Sequence, residues 1–378
     1  MSGRQRRIVI KLGGSTLTTP QYALRHKRLR ILVGEIAQLA LQGYTPILVS
    51  SGAVPTGYGV LRWPRYPLTI PEKQAAASVG QVALMHLYQQ LFARYHLHVA
   101  QILLTQDDFS VRPRFVNIRN TIEMLLQNRV VPIVNENDTV TVDGIKVGDN
   151  DTLGALVATA VDAERYIILS DIDGLYTANP RLHKDATFIP TVESITSEIE
   201  ALCGAKGSVG ATGGMRTKIK AARIATAAGI EVVIGNGERP NILLELAQGT
   251  GVGTRFLAQK ERLPGKKSWI AFSSRVEGRI LIDAGAVQAV VQDNRSLLAT
   301  GVTAIEGQFS VGSVVEICGP DGQELGRGIS NYTSSDLYLL KGKNSQEILS
   351  LVPTLLNASI EVVHRNDLAL YSSTIALR

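Results

Sequence analysis

The sequence predicts an α/β protein, an open and mainly parallel sheet sandwiched by helices, followed by a small, mostly-β, barrel-like domain. Three observations predict it. Up to about residue 258, short apolar runs alternate with stretches of helical periodicity, the pattern of a parallel sheet covered on both faces. Several of those runs stop abruptly in glycine or short polar residues, as happens at the sheet edge where α/β proteins bind ligands. Beyond residue 268 the helical pattern fades, and Gly-rich turns separate short apolar runs.

Residues 8–12 (IVIKL) read as a buried strand that carries one lysine and runs into Gly13-Gly14-Ser15. Glycines there let a backbone approach phosphate closely, and Lys11 can neutralise its charge. Leu29, Leu32, Ile36 and Leu39 recur at helical spacing over 27–42, and Gly43 ends that helix. Pro46–Val49 is a second strand, ending in Ser50-Ser51-Gly52-Ala53. Residues 54–71, rich in Pro, Gly and Tyr, are expected as a loop. Residues 73–94 read as a long helix whose repeated Ala and Gln suggest close packing. Strands are expected at 99–104, 130–134 and 165–169, helices at 114–128 and 193–202, and a last strand at 231–234.

The densest polar stretch lies between the strand at 130–134 and the next helix. Asn135-Glu136-Asn137-Asp138 ends the strand, a short hairpin with Asp143-Gly144 as its turn follows, and Gly148-Asp149-Asn150-Asp151 opens the helix. Helix capping accounts for one of these short polar side chains. It does not account for Asn135, Asn137, Asp138, Asp149, Asn150 and Asp151 together, which predicts a binding site. A second loop, Gly204 to Lys218, holds five glycines and opens a helix near Met215. Its composition predicts a mobile loop. Glycines leading into a helix make an anion site from free N–H groups and the helix dipole, and Lys218 adds a full charge. The spacing is not that of a Walker A loop.

Hydrophobic content of 45% and charged content of 19% are those of a globular chain with a full core, long enough for two or three domains. The net charge of +6 suits phosphate ligands or nucleic acid without selecting either. Arg4, Arg6 and Arg7 precede only Ile8-Val9-Ile10 before Lys11, so no signal peptide is expected, and no stretch reads as a membrane span. Cys203 and Cys318 have no CxxC partner and are expected as reduced thiols in a cytoplasmic protein. The six histidines are scattered, and no His/Cys cluster has zinc spacing.

After position 268, apolar runs at 279–282, 287–291, 301–306, 314–318 and 337–340 are expected as strands, with a helix as the alternative for 287–291. Gly322, Gly326 and Gly328 read as turn residues between them. The expected boundaries are 1–258 for the α/β domain, 259–274 for an exposed linker, 275–360 for the β domain and 361–378 for a tail.

Read together, these motifs resemble the amino acid kinase family: Ile10-Lys11-Leu12-Gly13-Gly14-Ser15, Ser51-Gly52-Ala53, Asn135-Glu136-Asn137-Asp138, Lys146-Val147-Gly148-Asp149-Asn150-Asp151, Asp173-Gly174-Leu175-Tyr176-Thr177, and Thr212-Gly213-Gly214-Met215 with Lys218. They span most of 8–255, and the paired NEND and VGDND segments point to its glutamate 5-kinase branch. The tail resembles a PUA domain at Asp283-Ala284-Gly285-Ala286, Ser296-Leu297-Leu298, Gly301-Val302, Gly307-Gln308-Phe309, Gly312 and Gly326 to Tyr332. The chain departs from the family pattern at Gly14, where Thr or Ser is commoner, and at Ser170-Asp171, where Thr-Asp is commoner.

The resemblance implies transfer of the ATP γ-phosphoryl group to the side-chain carboxylate of L-glutamate, with Mg²⁺ on the phosphates. It implies that Lys11 meets the transferring group beside Gly13 and Gly14, that Lys218 meets the β-phosphate side, and that Asp151 holds both lysines. Ser170, Asp171, Thr212, Gly213, Gly214, Met215, Arg216, Thr217 and Lys218 would line the nucleotide. Ser51, Gly52, Ala53, Asn135, Asp138 and Asn150 would hold glutamate. A homo-oligomer, dimer or tetramer, and feedback inhibition by proline are implied as well. The rivals are a related kinase acting on aspartate, N-acetylglutamate or a nucleotide, and an RNA-binding PUA protein. The tail lacks the dense Lys/Arg stripe with interleaved aromatics that RNA binding usually shows.

Overall fold

The computed structural model describes residues 6–140, 149–202, 214–259, 265–344, 346–348 and 361–371. The chain divides into two compact units, Met1–Asp108 with Pro113–Arg262, and Phe109–Arg112 with Leu263–Arg378. Residues 141–148, with the Asp143-Gly144 turn of the expected hairpin and Lys146, Val147 and Gly148, and residues 203–213, with Cys203 and Thr212, fall outside the described residues.

In the first unit the strands are β1 (Arg6–Leu12), β2 (Tyr44–Ser50), β3 (His98–Leu104), β4 (Val130–Glu136), β5 (Arg165–Ser170), β6 (Leu175–Tyr176), β7 (Phe188–Ile189), β8 (Thr191–Val192), β9 (Glu231–Asn236) and β10 (Gly253–Phe256). The main sheet has the order β3-β4-β2-β1-β5-β9-β10-β8. From β3 to β9 every neighbouring pair is parallel, and β10 runs antiparallel to β9. The helices are α1 (Gly14–Leu17), α2 (His26–Leu41), α3 (Ala53–Leu61), α4 (Ile70–Ala93), α5 (Gln106–Ser110), α6 (Arg112–Gln127), α7 (Asn150–Ala160), α8 (Ser197–Ala201), α9 (Met215–Ala227) and α10 (Ile242–Gln248). Ile10, Leu48, Ile133, Ile167 and Val233 from five adjacent strands join Leu32, Ile36, Leu84, Tyr88 and Phe92 from α2 and α4 in one core. Those apolar runs are continuous because the central strands are covered on both faces.

Three expectations for this unit are corrected. Residues 54–71, expected as loop, are helical over 54–61, within α3 (Ala53–Leu61). The glycines misled the reading: Gly57 and Gly80 are contact points. A Cβ on Gly57 would lie 1.7 Å from the carbonyl oxygen of Ala76, and one on Gly80 would lie 1.9 Å from that of Ala53. Glycine here lets α3 and α4 pack backbone to backbone, and tertiary packing overrides helix propensity. Residues 231–234 are not the last strand, since β10 follows and is antiparallel. The helix expected at 193–202 is confined to Ser197–Ala201, where Thr196 caps it.

The second unit contains α11 (Gly265–Ser268), a π-helical turn at Trp269–Ser273, β11 (Val276–Ile282), α12 (Ala284–Val287), β12 (Leu297–Leu298), β13 (Val302–Gly307), β14 (Val314–Cys318), β15 (Glu324–Ile329), α13 (Ser334–Leu340), β16 (Glu361–Val363) and β17 (Leu368–Leu370). Five strands form a sheet of order β13-β11-β14-β15-β17, and β12 pairs with β16. Ile280, Ile282, Val315, Ile317, Phe309, Leu337 and Val363 contribute to a separate core.

Here too the structure differs from the sequence reading. Trp269, Ile270 and Ala271, inside the expected linker, are buried. Residues 287–291, expected as a strand with helix as the alternative, are helical, within α12 and the π-helical turn Gln288–Gln292. The expected strand at 337–340 is part of α13, capped by Thr333, which accepts from Asp336 N. Gly326 and Gly328 lie inside β15, where a Cβ would meet Ala369 O at 2.3 Å and the Val363 side chain at 2.5 Å. Residues 361–370, expected in a tail, supply β16 and β17, and β17 pairs with β15.

Candidate active site

The parallel register sets the C-terminal ends of β1, β2, β4 and β5 along one edge. Leu12 lies level with Ser50 on one side and with Leu169 on the other, and Val49 is level with Val134. Chain order turns back across β1, so this edge is a topological switch point, the place where open α/β sheets bind ligands. Lys11, Ser51, Asn135, Asp138 and Ser170 all belong to it or to the turns leaving it.

Two helix starts complete the group. Asp149 caps α7, its carboxylate accepting from Thr152 N at 3.1 Å and from Thr152 Oγ1 at 2.7 Å. The cap fixes the first turn of α7 and with it Asn150 and Asp151. Tyr166 in β5 donates to the Asp151 carbonyl at 2.9 Å, tying the same turn to the sheet. Lys218 lies in the first turn of α9, which packs on α7.

These elements bring Lys11, Asp151 and Lys218 together. Lys11 Nζ lies 2.6 Å from Asp151 Oδ1, and Lys218 Nζ lies 3.1 Å from Asp151 Oδ2. Thr217 Oγ1 donates to the same Oδ2 at 2.7 Å. All three charged residues are at most 6% exposed. Burial by itself raises the Asp151 carboxyl, but the Lys11 and Lys218 ammonium groups outweigh it and hold the group well below the usual carboxylate range. Burial pulls Lys11 below its ordinary value, with Asp151 opposing and Lys218 adding to the fall. Two ammonium groups on one carboxylate leave a net positive charge in a poorly solvated place, which favours a polyanion such as a nucleotide phosphate. Gly13 borders this centre: a Cβ there would lie 2.8 Å from Leu169 O and 3.5 Å from Lys11 Nζ, while Gly14 is open.

A second polar group adjoins the first. Asn150 Nδ2 lies 3.0 Å from Ser50 O, 3.1 Å from Ser51 Oγ and 3.1 Å from Asn135 Oδ1. Asn135 Nδ2 in turn donates to Gln81 Oε1 at 2.9 Å. Gly52, at φ 105°, makes the turn from β2 into α3 that only glycine adopts freely. Asp138 is 9% exposed, and burial, reinforced by the charge of Glu136, raises its carboxyl to about 7. On the opposite flank, Asp171 accepts from Ser170 Oγ at 3.2 Å and Ser15 Oγ at 3.4 Å, and pairs with Arg181 at 2.7 Å. Met215 and Thr217 are part-buried and Arg216 is exposed at the start of α9.

Two features of this region escaped the sequence reading. Gln81 was read as packing, since one Gln in an Ala-rich helix carries no local signal of its own. Tyr22, Tyr58 and Tyr66 form a cluster with Tyr22 and Tyr66 stacked at 3.7 Å. Burial, then Tyr22 and Asp138, raise the Tyr66 hydroxyl to about 12. The density of tyrosines in 54–71 was the available clue. A cavity of about 640 Å³ belongs to the second unit, lined in part by Asp283, Arg295, Leu297 and His364, and holds none of the residues above.

Among the described residues no helix is long and apolar enough to cross a membrane. Comparison with known proteins places this geometry in context. The model of the amino acid kinase family matches residues 6–236, and that of the PUA domain matches residues 278–352. The chain is 50% identical to a glutamate 5-kinase of Deinococcus radiodurans over 364 residues, 96% of this chain and 99% of the relative. It is 47% identical to a glutamate 5-kinase of Moorella thermoacetica over 363 residues, 96% of each chain. A glutamate 5-kinase of Trichlorobacter lovleyi is 46% identical over 365 residues, 97% of this chain and 96% of the relative.

Proposed function

Because the chain belongs to the amino acid kinase family, in its glutamate 5-kinase branch, we propose that Lys11, Asp151 and Lys218 are the centre at which it phosphorylates L-glutamate. The reaction transfers the γ-phosphoryl group of ATP to the side-chain carboxylate, giving L-glutamyl 5-phosphate and ADP, the first step of proline biosynthesis. The observation that carries the assignment is the pair of buried ammonium groups held on one carboxylate at 2.6 and 3.1 Å.

The acceptor carboxylate is already a nucleophile, so no general base is needed. One of its oxygens forms a bond to the γ-phosphorus as the bond to the β–γ bridging oxygen breaks and ADP leaves. Catalysis is then positioning and charge stabilisation. Lys11 meets the transferring group, with the Gly13 and Gly14 amides beside it. Lys218 meets the charge that builds on the leaving side. Asp151 accepts no proton: its carboxyl stays ionised and fixes the two cations. Ser170, Asp171 and the segment Thr212 to Lys218 line the nucleotide.

Mg²⁺ bound with the nucleotide would neutralise phosphate charge. Asp151 is engaged by Lys11, Lys218 and Thr217, and Asp149 by Thr152, which fits an ion held through phosphate oxygens and water better than an all-protein cage.

Ser51, Gly52, Ala53, Asn135, Asp138 and Asn150 hold glutamate. Asp138 suits a free α-ammonium group, a charged hydrogen bond of roughly 1.5–3 kcal/mol. N-acetylglutamate has no such cation and would leave the carboxylate buried unpaired. By family resemblance the protein is a cytoplasmic homo-oligomer, and proline lowers its activity. The test is ATP-dependent acyl phosphate formation, trapped as hydroxamate, with L-glutamate, L-aspartate and N-acetylglutamate, with and without proline. Product from glutamate alone supports the reading, and equal turnover of N-acetylglutamate refutes the role of Asp138. Sedimentation of the same preparation tests the assembly.

A further inference from the structure

The amide chain that runs through the glutamate pocket has a polarity that two backbone groups decide. Glu136 N–H can only donate, and it donates to Asn135 Oδ1 at 2.9 Å. Ser50 O can only accept, and it accepts from Asn150 Nδ2 at 3.0 Å. Neither Asn can therefore be flipped, and Asn135 Nδ2 must face Gln81. Only the oxygen of Gln81 can receive it, at 2.9 Å. This leaves Gln81 Nε2 as a buried donor and Asn150 Oδ1 as a buried acceptor, each without a hydrogen-bond partner among the described residues. Gln81 is 8% exposed and Asn150 3%. A buried, unsatisfied polar atom costs roughly 1–3 kcal/mol, a cost that a bound polar group would relieve.

The place of Gln81 says which group that is. Its neighbour Gly80 abuts Ala53 O, which seats this turn of α4 against the Ser51–Ala53 turn, and the Gln81 carboxamide itself is held by Asn135. Asn150 adjoins Asp151 and the two lysines, and Gln81 is at the other end of the amide chain. A donor there faces the end of the amino acid remote from the reacting carboxylate. At that end the ammonium needs an acceptor, supplied by Asp138, and the α-carboxylate needs donors. We propose that Gln81 is a specificity-determining residue, whose Nε2 donates to the α-carboxylate of the acceptor amino acid. This rests on the pocket assigned in the preceding section.

Two analogues separate the contributions. Glutarate keeps both carboxylates and lacks the ammonium, while 4-aminobutyrate keeps the ammonium and the reacting carboxylate and lacks the α-carboxylate. In the full-length protein, inhibition constants of both are measured against L-glutamate, for the unmodified chain, Gln81→Met and Gln81→Glu. The second variant keeps an acceptor for Asn135. The expected result is a rise of about 10- to 100-fold in the glutamate KM and the glutarate inhibition constant, the range of a hydrogen bond to a charged group. The 4-aminobutyrate constant and the ATP KM stay within about twofold. Equal weakening of glutamate, glutarate and 4-aminobutyrate in both variants means a merely structural role and overturns the proposal, as does no change in any of them. If one variant does not fold, the other decides. Absence of glutamate phosphorylation in the unmodified protein is a different failure, that of the function itself.

Discussion

Lys218 and Lys11 share Asp151, but they reach it from different elements, and the consequences of removing each charge differ from those of altering the pocket. Lys218→Ala is expected to lower kcat by about 10²–10³, the loss typical of a preorganised charge stabiliser. It should leave the glutamate KM nearly unchanged, and steady-state kinetics with saturating ATP check this. Asp138 carries a pH dependence. Its carboxyl is raised to about 7 in the ligand-free site, by burial first and Glu136 second. Only the ionised form pairs with an ammonium group. Glutamate binding is therefore expected to weaken as pH falls below 7 and to level off above it, so kcat/KM for glutamate rises between pH 6 and 8. Asp138→Asn should abolish that bend while raising the glutamate KM more than the ATP KM. An identical pH profile in the variant would show that another group titrates. At this scale the sequence was informative where charge and side-chain type were unusual, as at Lys11, Asp138, Asp151 and Lys218. Gln81 was illegible, because what distinguishes it is an unpaired donor created by the orientation of residues 54 and 69 positions away.

At the scale of elements, α3 and α4 show why the glycine-rich stretch after β2 was misread. Gly57 and Gly80 each stand where a side chain would collide with the opposing backbone. Gly80→Ala forces the helices apart and is expected to destabilise the fold by about 1–3 kcal/mol, the usual cost of overpacking. Since the contact is with the carbonyl of Ala53, the Ser51–Ala53 turn moves too, and the glutamate KM should rise while the ATP KM does not. Urea titration and kinetics on the same variant check both parts. Gly326 and Gly328 in β15 repeat the lesson, since both sit under neighbouring chain. A glycine selected for close approach and one selected for a turn look alike in a sequence. The strands β1 to β5 and β9 and the helices α2, α4, α6 and α7 were legible because burial imposes a period, whereas which of the polar residues before α7 caps it was left open and is Asp149 in the structure.

At the scale of the molecule, the described residues contain two separate cores, one around β1, β2, β4 and β5 and one around β11 and β14. Unfolding is therefore expected in more than one step, with a calorimetric enthalpy exceeding the van't Hoff enthalpy. ATP with glutamate should raise the transition of the first unit, because a ligand stabilises the state that binds it. A single two-state transition would contradict the prediction. The sequence by itself determined the α/β class, the β-rich second unit and the motifs whose chemistry reads as phosphoryl transfer, because burial periodicity and charged or glycine-rich strand ends are local properties. Only the tertiary structure decided that residues 11, 151 and 218 share one ion-pair network, that 53–61 is a helix, that 361–370 returns to the second sheet, and that the amide chain through Gln81 has a fixed polarity. Each of these depends on groups far apart in the chain being pressed together, and a one-dimensional pattern does not contain that distance.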